Sequence, residues 1–317
     1  MIRRVSDIAS LSTLALAAVA TLLGAGCDRA TPPPAPALEV APITTPRIVD
    51  GFASPESVVI AGARRFVSSM GSKPEPTSKD GDGYISELDA QGALVDRRSF
   101  PREGDPPLNA PKGMAVIGNR LFVTDIDRIV GYDLASRKQV FEAVVSGGPA
   151  KFFNDLAVES DTTLLVTDTL RNALYRYDLG NKTFSLVAVD MPGANGLALD
   201  RTRNLAYVAA IGANFGGGDL YSVALDGDAK ARRIGDVHGL FDGIALVDGK
   251  LLLSDWKSVS EPVPGALTLH ATDGTLASTL STPELHGPAD FDYDATQRLL
   301  WIPDMQNNRV VIVPLPR

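Results

Sequence analysis

The apolar positions of this chain fall in short runs punctuated by glycine, proline, asparagine and aspartate. Runs this short, rich in Val, Leu, Ile and Tyr and bounded by turn formers, predict β-strands rather than helices. The runs also repeat. Segments 55–60, 111–116, 153–158, 194–199, 241–246 and 288–293 each open on a variable residue, continue through a small, polar or charged one, and end in a short apolar strand. A second strand follows, closing on aspartate at 121–125, 164–168, 251–255 and 300–304, and a third strand ends most units, as at 129–133 and 174–178.

Aligned on Glu56, Lys112, Asn154, Asn195, Asp242 and Ala289, the copies are 56, 42, 41, 47 and 47 residues apart. That spacing suits a four-stranded propeller blade. A closed ring protects the sheet edges that a linear array would leave open. The expected fold is therefore all-β, a six-bladed β-propeller of four-stranded blades; a two-sheet sandwich would not impose six copies in register. A strand at 47–49 is expected to pair into the last blade and latch the ring. The long first step predicts an insertion at 70–83 or 102–108.

The first strand of a blade lines the propeller axis, so equivalent positions at its start form a ring at one mouth. Here the ring reads Glu56, Lys112, Asn154, Asn195, Asp242 and Ala289. Two carboxylates facing one another across a narrow channel repel, and their pKa values rise unless a cation lies between them. Carboxylates combined with amide carbonyls are hard oxygen donors, suited to calcium rather than zinc or copper.

Pro55-Glu56, Asn154-Asp155, Asn195-Gly196-Leu197 and Asp242-Gly243 resemble the regucalcin–gluconolactonase superfamily of six-bladed propellers, which diisopropyl-fluorophosphatase and paraoxonase also resemble in arrangement. The resemblance spans residues 46–317. It implies that Glu56, Asn154, Asn195 and Asp242 bind a divalent cation, usually calcium. It also implies that this cation polarises the carbonyl or phosphoryl group of a lactone or ester, making the chain a metal-dependent hydrolase.

Lys112 departs from the family pattern, and two readings compete. In one it lies beside the metal and helps stabilise an oxyanion. In the other its ammonium sits between Glu56 and Asp242 in place of the cation, and the protein is a non-catalytic, tethered ligand- or protein-binding propeller. Asp155, directly after a proposed ligand, is expected to support the metal shell. His286, fixed by the following Gly287-Pro288, is the preferred general base, ahead of His238. The recurrent Thr124-Asp125, Thr167-Asp168 and Ser254-Asp255 read as turn caps, and Asp80-Gly81-Asp82-Gly83 as a turn. No Gly-x-Ser-x-Gly or His-Glu-x-x-His pattern occurs, which disfavours a serine hydrolase or a zinc peptidase.

Composition adds the setting. Across 317 residues the net charge is −8, which argues against nucleic-acid binding. The single cysteine, Cys27, excludes an intrachain disulfide. Arg3 and Arg4 precede an apolar stretch at 8–23, and Gly24-Ala25-Gly26 leads into Cys27. This resembles a bacterial lipobox, so residues 1–27 are expected to act as a signal and Cys27 to carry diacylglycerol. Residues 28–46 form a proline-rich linker that favours an extended polyproline II spacer. The expected protein is an exported monomer, a periplasmic or cell-surface lipoprotein tethered to a bacterial membrane, with a propeller at 47–317 acting on a small-molecule lactone or ester.

Overall fold

The computed structural model describes residues 42–145, 151–261 and 263–316. The signal segment, Cys27 and the linker up to residue 41 lie outside them. The described chain folds into six four-stranded antiparallel sheets, the blades of a six-bladed β-propeller. The innermost strands of blades 1 to 5 are Pro55–Ala61, Pro111–Ile117, Phe153–Ser160, Ala194–Asp200 and Phe241–Val247.

The burial of each strand explains its composition. Second strands such as Leu205–Ala210 and Leu299–Asp304 are buried along almost their whole length, because neighbouring blades cover both faces. Outermost strands such as Leu276–Thr279 stay exposed and carry polar residues. The apolar core lies between blades. Leu165 and Leu174 of blade 3 pack with Leu197, Val208 and Tyr221 of blade 4. Phe66 and Phe100 of blade 1 pack with Leu121, Val123 and Tyr132 of blade 2. The Phe100 and Tyr132 rings lie 4.7 Å apart. Burying one such large side chain contributes roughly 1.5–3 kcal/mol, and most of it requires the adjacent blade to be present.

Ring closure joins the two ends of the described chain. Blade 6 comprises Asp292–Asp294, Leu299–Asp304 and Arg309–Pro314 from the C-terminal end, with Arg47–Asp50 as its outermost strand. Arg47 to Asp50 pair antiparallel with Ile312 to Arg309, as the latch expected from sequence requires. The seam between blades 6 and 1 is polar. Ser57 Oγ donates to Asp290 Oδ2 at 2.5 Å, and Ile60 N–H donates to Asp292 Oδ2 at 2.8 Å. Buried Arg65 pairs with Asp294 and stacks over Trp301.

One element differs from expectation. The sixth inner strand is regular only over Asp292–Asp294, not from residue 288. Pro288 has no N–H to donate. Ala289 N–H still reaches the Pro303 carbonyl of its own blade, but Asp290 turns to the neighbouring one, with Asp290 N–H on the Glu56 carbonyl and Val58 N–H on the Asp290 carbonyl. At Asp290 the backbone bonds join blade 6 to blade 1 instead of extending this strand's own ladder.

Candidate functional site

Glu56, Lys112, Asn154, Asn195 and Asp242 converge on one cavity of about 270 Å³ at the mouth of the propeller axis. The sixth ring position, Ala289, is fully buried beside Met70, Ala110, Ile126 and Met305. Local backbone geometry aims the ring residues. In blades 1 to 5 the pairing between first and second strands is irregular at the ring position, as between Phe153 and Leu156 or between Phe241 and Ile244. A bulge of this kind bends the strand and re-aims the side chain it carries.

The recurrent hydroxyls at the ends of second strands hold these bulges in place. Thr167 Oγ1 accepts the Asp155 N–H of its own blade at 3.0 Å and donates to the Asn195 carbonyl of the next at 2.6 Å. Ser254 Oγ accepts the Gly243 N–H at 2.7 Å and donates to the Ala289 carbonyl at 3.1 Å. Thr124 Oγ1 donates to the Asn154 carbonyl at 2.5 Å. Each hydroxyl therefore fixes the backbone of a ring residue in the following blade. The adjoining aspartates cap turns, as expected: Asp125 Oδ1 accepts the N–H groups of Asn109 and Ala110, and Asp168 Oδ1 those of Phe152 and Arg171. Close packing also restricts the residue after the ring position. A Cβ on Gly196 would lie 2.1 Å from the Asp242 carbonyl oxygen, so no larger residue fits between these blades.

Four buried oxygens in the cavity have no hydrogen-bond partner: Glu56 Oε2, Asn154 Oδ1, Asn195 Oδ1 and Asp242 Oδ1. Buried polar atoms are seldom left unpaired, and these belong to the four residues that the sequence pattern singles out as oxygen ligands. Two are carboxylate and two are amide oxygens, a donor set that fits a hard divalent cation. Among the described residues no group of three His, Cys, Asp or Glu side chains forms a metal cluster.

Electrostatics point the same way. Burial raises the Glu56 carboxyl well above its ordinary range and the Asp242 charge raises it further, opposed by Lys112. Burial raises the Asp242 carboxyl to about 7, against the lowering effects of the Trp256 indole N–H, the Asn195 amide and the Lys112 charge. Two carboxyls pushed toward neutrality in a closed space favour a bound cation, which would restore their charged form.

Lys112 does not bridge those carboxylates. Its Nζ donates to the Pro76 carbonyl at 2.6 Å and the Ala110 carbonyl at 2.8 Å, and lies 4.7 Å from the centroid of the Phe152 ring. Burial lowers its ammonium to about 8, opposed by the charges of Glu56, Asp125 and Asp242. Pro76 belongs to the connection between Arg64–Ser69 and Tyr84–Asp89, which reaches over the mouth. Asp82 staples that connection by accepting the N–H and Oγ–H of Ser72, both at 2.8 Å.

The other candidates lie apart from the mouth cavity. Asp155 faces a second cavity further along the axis; its Oδ1 accepts Leu156 N–H at 2.6 Å and its Oδ2 accepts Leu197 N–H at 2.7 Å. It ties blade 3 to blade 4. The His286 ring is bonded through Nε2 to Glu284 Oε1 at 2.7 Å, and exposed His238 through Nδ1 to Asp219 Oδ1 at 2.9 Å. Neither imidazole lines the mouth cavity. Sequence reasoning missed Trp256, whose Nε1–H donates to Asp242 Oδ2 at 2.9 Å and so leaves Oδ1 as the unpaired oxygen. Its one signal is position, directly after the Ser254-Asp255 end of a second strand.

The fold places the chain among six-bladed β-propellers. No family model matches it, and no curated protein does. Among solved structures it is similar to hydrazine synthase of Kuenenia stuttgartiensis, with a TM-score of 0.59 and 14% identity over 83% of this chain and 78% of that one. At that identity the likeness carries the propeller fold alone.

Proposed function

We propose that this protein is a gluconolactonase-like propeller that hydrolyses a lactone or ester with a divalent cation, most simply calcium, at the channel mouth. The observation that carries this reading is the set of four unpaired buried oxygens on Glu56, Asn154, Asn195 and Asp242. These residues would hold the cation, and Trp256 orients Asp242 for that task. When bound, such a cation polarises a carbonyl or phosphoryl oxygen and lowers the barrier to attack by water.

The remaining roles fall to the chain itself. In hydrolysis the water oxygen bonds to the carbonyl carbon and the bond to the alkoxy oxygen breaks. That oxygen takes a proton, and a lactone yields a hydroxy acid. Two of the three Lys112 N–H groups go to backbone carbonyls, which leaves one for a substrate oxygen. Burial lowers the Lys112 ammonium below the usual lysine range, which favours proton exchange at the atom that faces the developing charge. Export and lipid attachment at Cys27 belong to the same proposal and would hold the propeller at a bacterial membrane.

The test is metal content together with thermal melting in calcium and in chelator. One calcium per chain is expected. Binding to the folded state at ~100 times the dissociation constant stabilises by about 2.7 kcal/mol, so the melt should move clearly upward. Glu56→Gln should abolish the shift. A protein without metal, whose melting ignores calcium, refutes the reading and returns attention to a binding propeller.

A further inference from the structure

The walls of the mouth cavity have a different chemistry from its floor. Above the ring they are built by Phe152, Ile211, Phe215, Trp256, Val259 and Met305. Among the described residues outside the ring, Gln306 is the one polar side chain lining the cavity, apart from the Trp256 indole N–H already bonded to Asp242. Phe215 and Val259 remain 39% and 46% exposed at the rim, so apolar surface continues outward from the cavity. Lys112 has spent two of its three donors on backbone.

We infer that the substrate is a lactone or ester with an apolar alkyl or aryl substituent, and not a polyhydroxylated sugar lactone. The class of bond rests on the hydrolase reading above; the apolar character rests on the walls. Beyond the ring and Gln306 the walls offer sugar hydroxyls no partner, so hydroxyls held against them would give up water uncompensated, which is unfavourable. An alkyl chain would bury apolar surface against the same walls and gain from it. A small polar floor under apolar walls is also the usual build of a site that orients one reactive group and holds the rest by burial. The substituent would lie along Phe215 and Val259, with the carbonyl oxygen toward the ring.

The experiment compares kcat/KM of the calcium-loaded full chain for γ-butyrolactone, γ-hexalactone, γ-octalactone and glucono-δ-lactone. Each methylene buried against the walls should raise kcat/KM by up to about fourfold. From butyrolactone to octalactone the expected rise is about 30- to 250-fold, with glucono-δ-lactone well below octalactone. Phe215→Ala should reduce the octalactone-to-butyrolactone ratio about tenfold while the calcium-induced shift in melting persists. A flat series, or glucono-δ-lactone as the better substrate, overturns the apolar assignment and leaves the hydrolase reading standing. If no lactone is hydrolysed, the hydrolase reading fails, and Trp256 fluorescence then decides the walls separately. Binding of γ-octalactam, the lactam counterpart of γ-octalactone, at least tenfold tighter than a polyhydroxylated lactam supports the apolar site, and equal or reversed affinity overturns it.

Discussion

Single hydroxyls and single charges decide how well the mouth is built. Thr167 joins the Asp155 N–H of one blade to the Asn195 carbonyl of the next. Thr167→Val keeps shape but leaves both backbone groups unpaired, which should cost about 1–3 kcal/mol in a denaturant melt. Because Asn195 would lose its anchor, calcium affinity should fall in the same variant, a result that loss of stability elsewhere would not give. Lys112 separates the two readings of the site. Under the hydrolase reading Lys112→Met retains calcium and loses about 10²–10³ in kcat. If the ammonium stood in place of a cation, the same change would create or strengthen calcium binding instead. Isothermal titration beside steady-state kinetics distinguishes these results.

The latch strand shows how an element can matter beyond its length. Arg47–Asp50 completes blade 6, and Val49 packs with Trp301 and Ile312. Without it, Arg309–Pro314 becomes an open edge able to pair with other chains. Removing residues through Asp50 should lower stability by about 2–4 kcal/mol and the melting temperature by about 5–10 °C. Light scattering should show association that the intact chain lacks. A truncated chain that melts as the full one does would mean that blade 6 closes the ring with three strands. The connection at 70–83 is the other element that reaches past its blade, because Pro76 supplies a carbonyl to Lys112 and lines the cavity.

On the scale of the whole molecule, the seam between the last and first blades contributes to the pH dependence. Burial raises the Asp292 carboxyl to about 6, despite N–H groups from Ile60 and Tyr293 and the Arg65 charge. An unfolded aspartate titrates near ~3.9. Between these values the folded chain keeps a proton that the unfolded chain has lost. The contribution of neutral Asp292 is therefore complete below about pH 4 and is lost as pH rises through about 6. Asp290, raised well above its ordinary range mainly by burial, adds in the same direction. Asp292→Asn should flatten the melting profile between about pH 4 and 6.5 relative to the unaltered chain. An unchanged slope would mean that Asp292 stays charged in the folded state.

The repeat was legible because a closed ring needs equivalent residues at equal places in each blade, so the period, the inner strands and the ring from Glu56 to Asp242 could be read directly. The latch was legible for a related reason: one blade needed a fourth strand, and the stretch around Ile48 could supply it. The partners were not legible, because they lie across blade boundaries or on loops whose paths no local pattern fixes. Trp256 reaches Asp242 from a mouth loop, Pro76 reaches Lys112 from an insertion, and Glu284 holds His286 away from the cavity. The short sixth inner strand likewise follows from hydrogen bonds to Glu56 and Val58 far away in the chain. Sequence alone determined the number of blades and which residues form the ring at the mouth, since both depend on periodic local choices. Tertiary structure decided which side-chain oxygens of that ring remain unpaired and what walls stand above them, since both depend on contacts between segments that the chain order keeps apart.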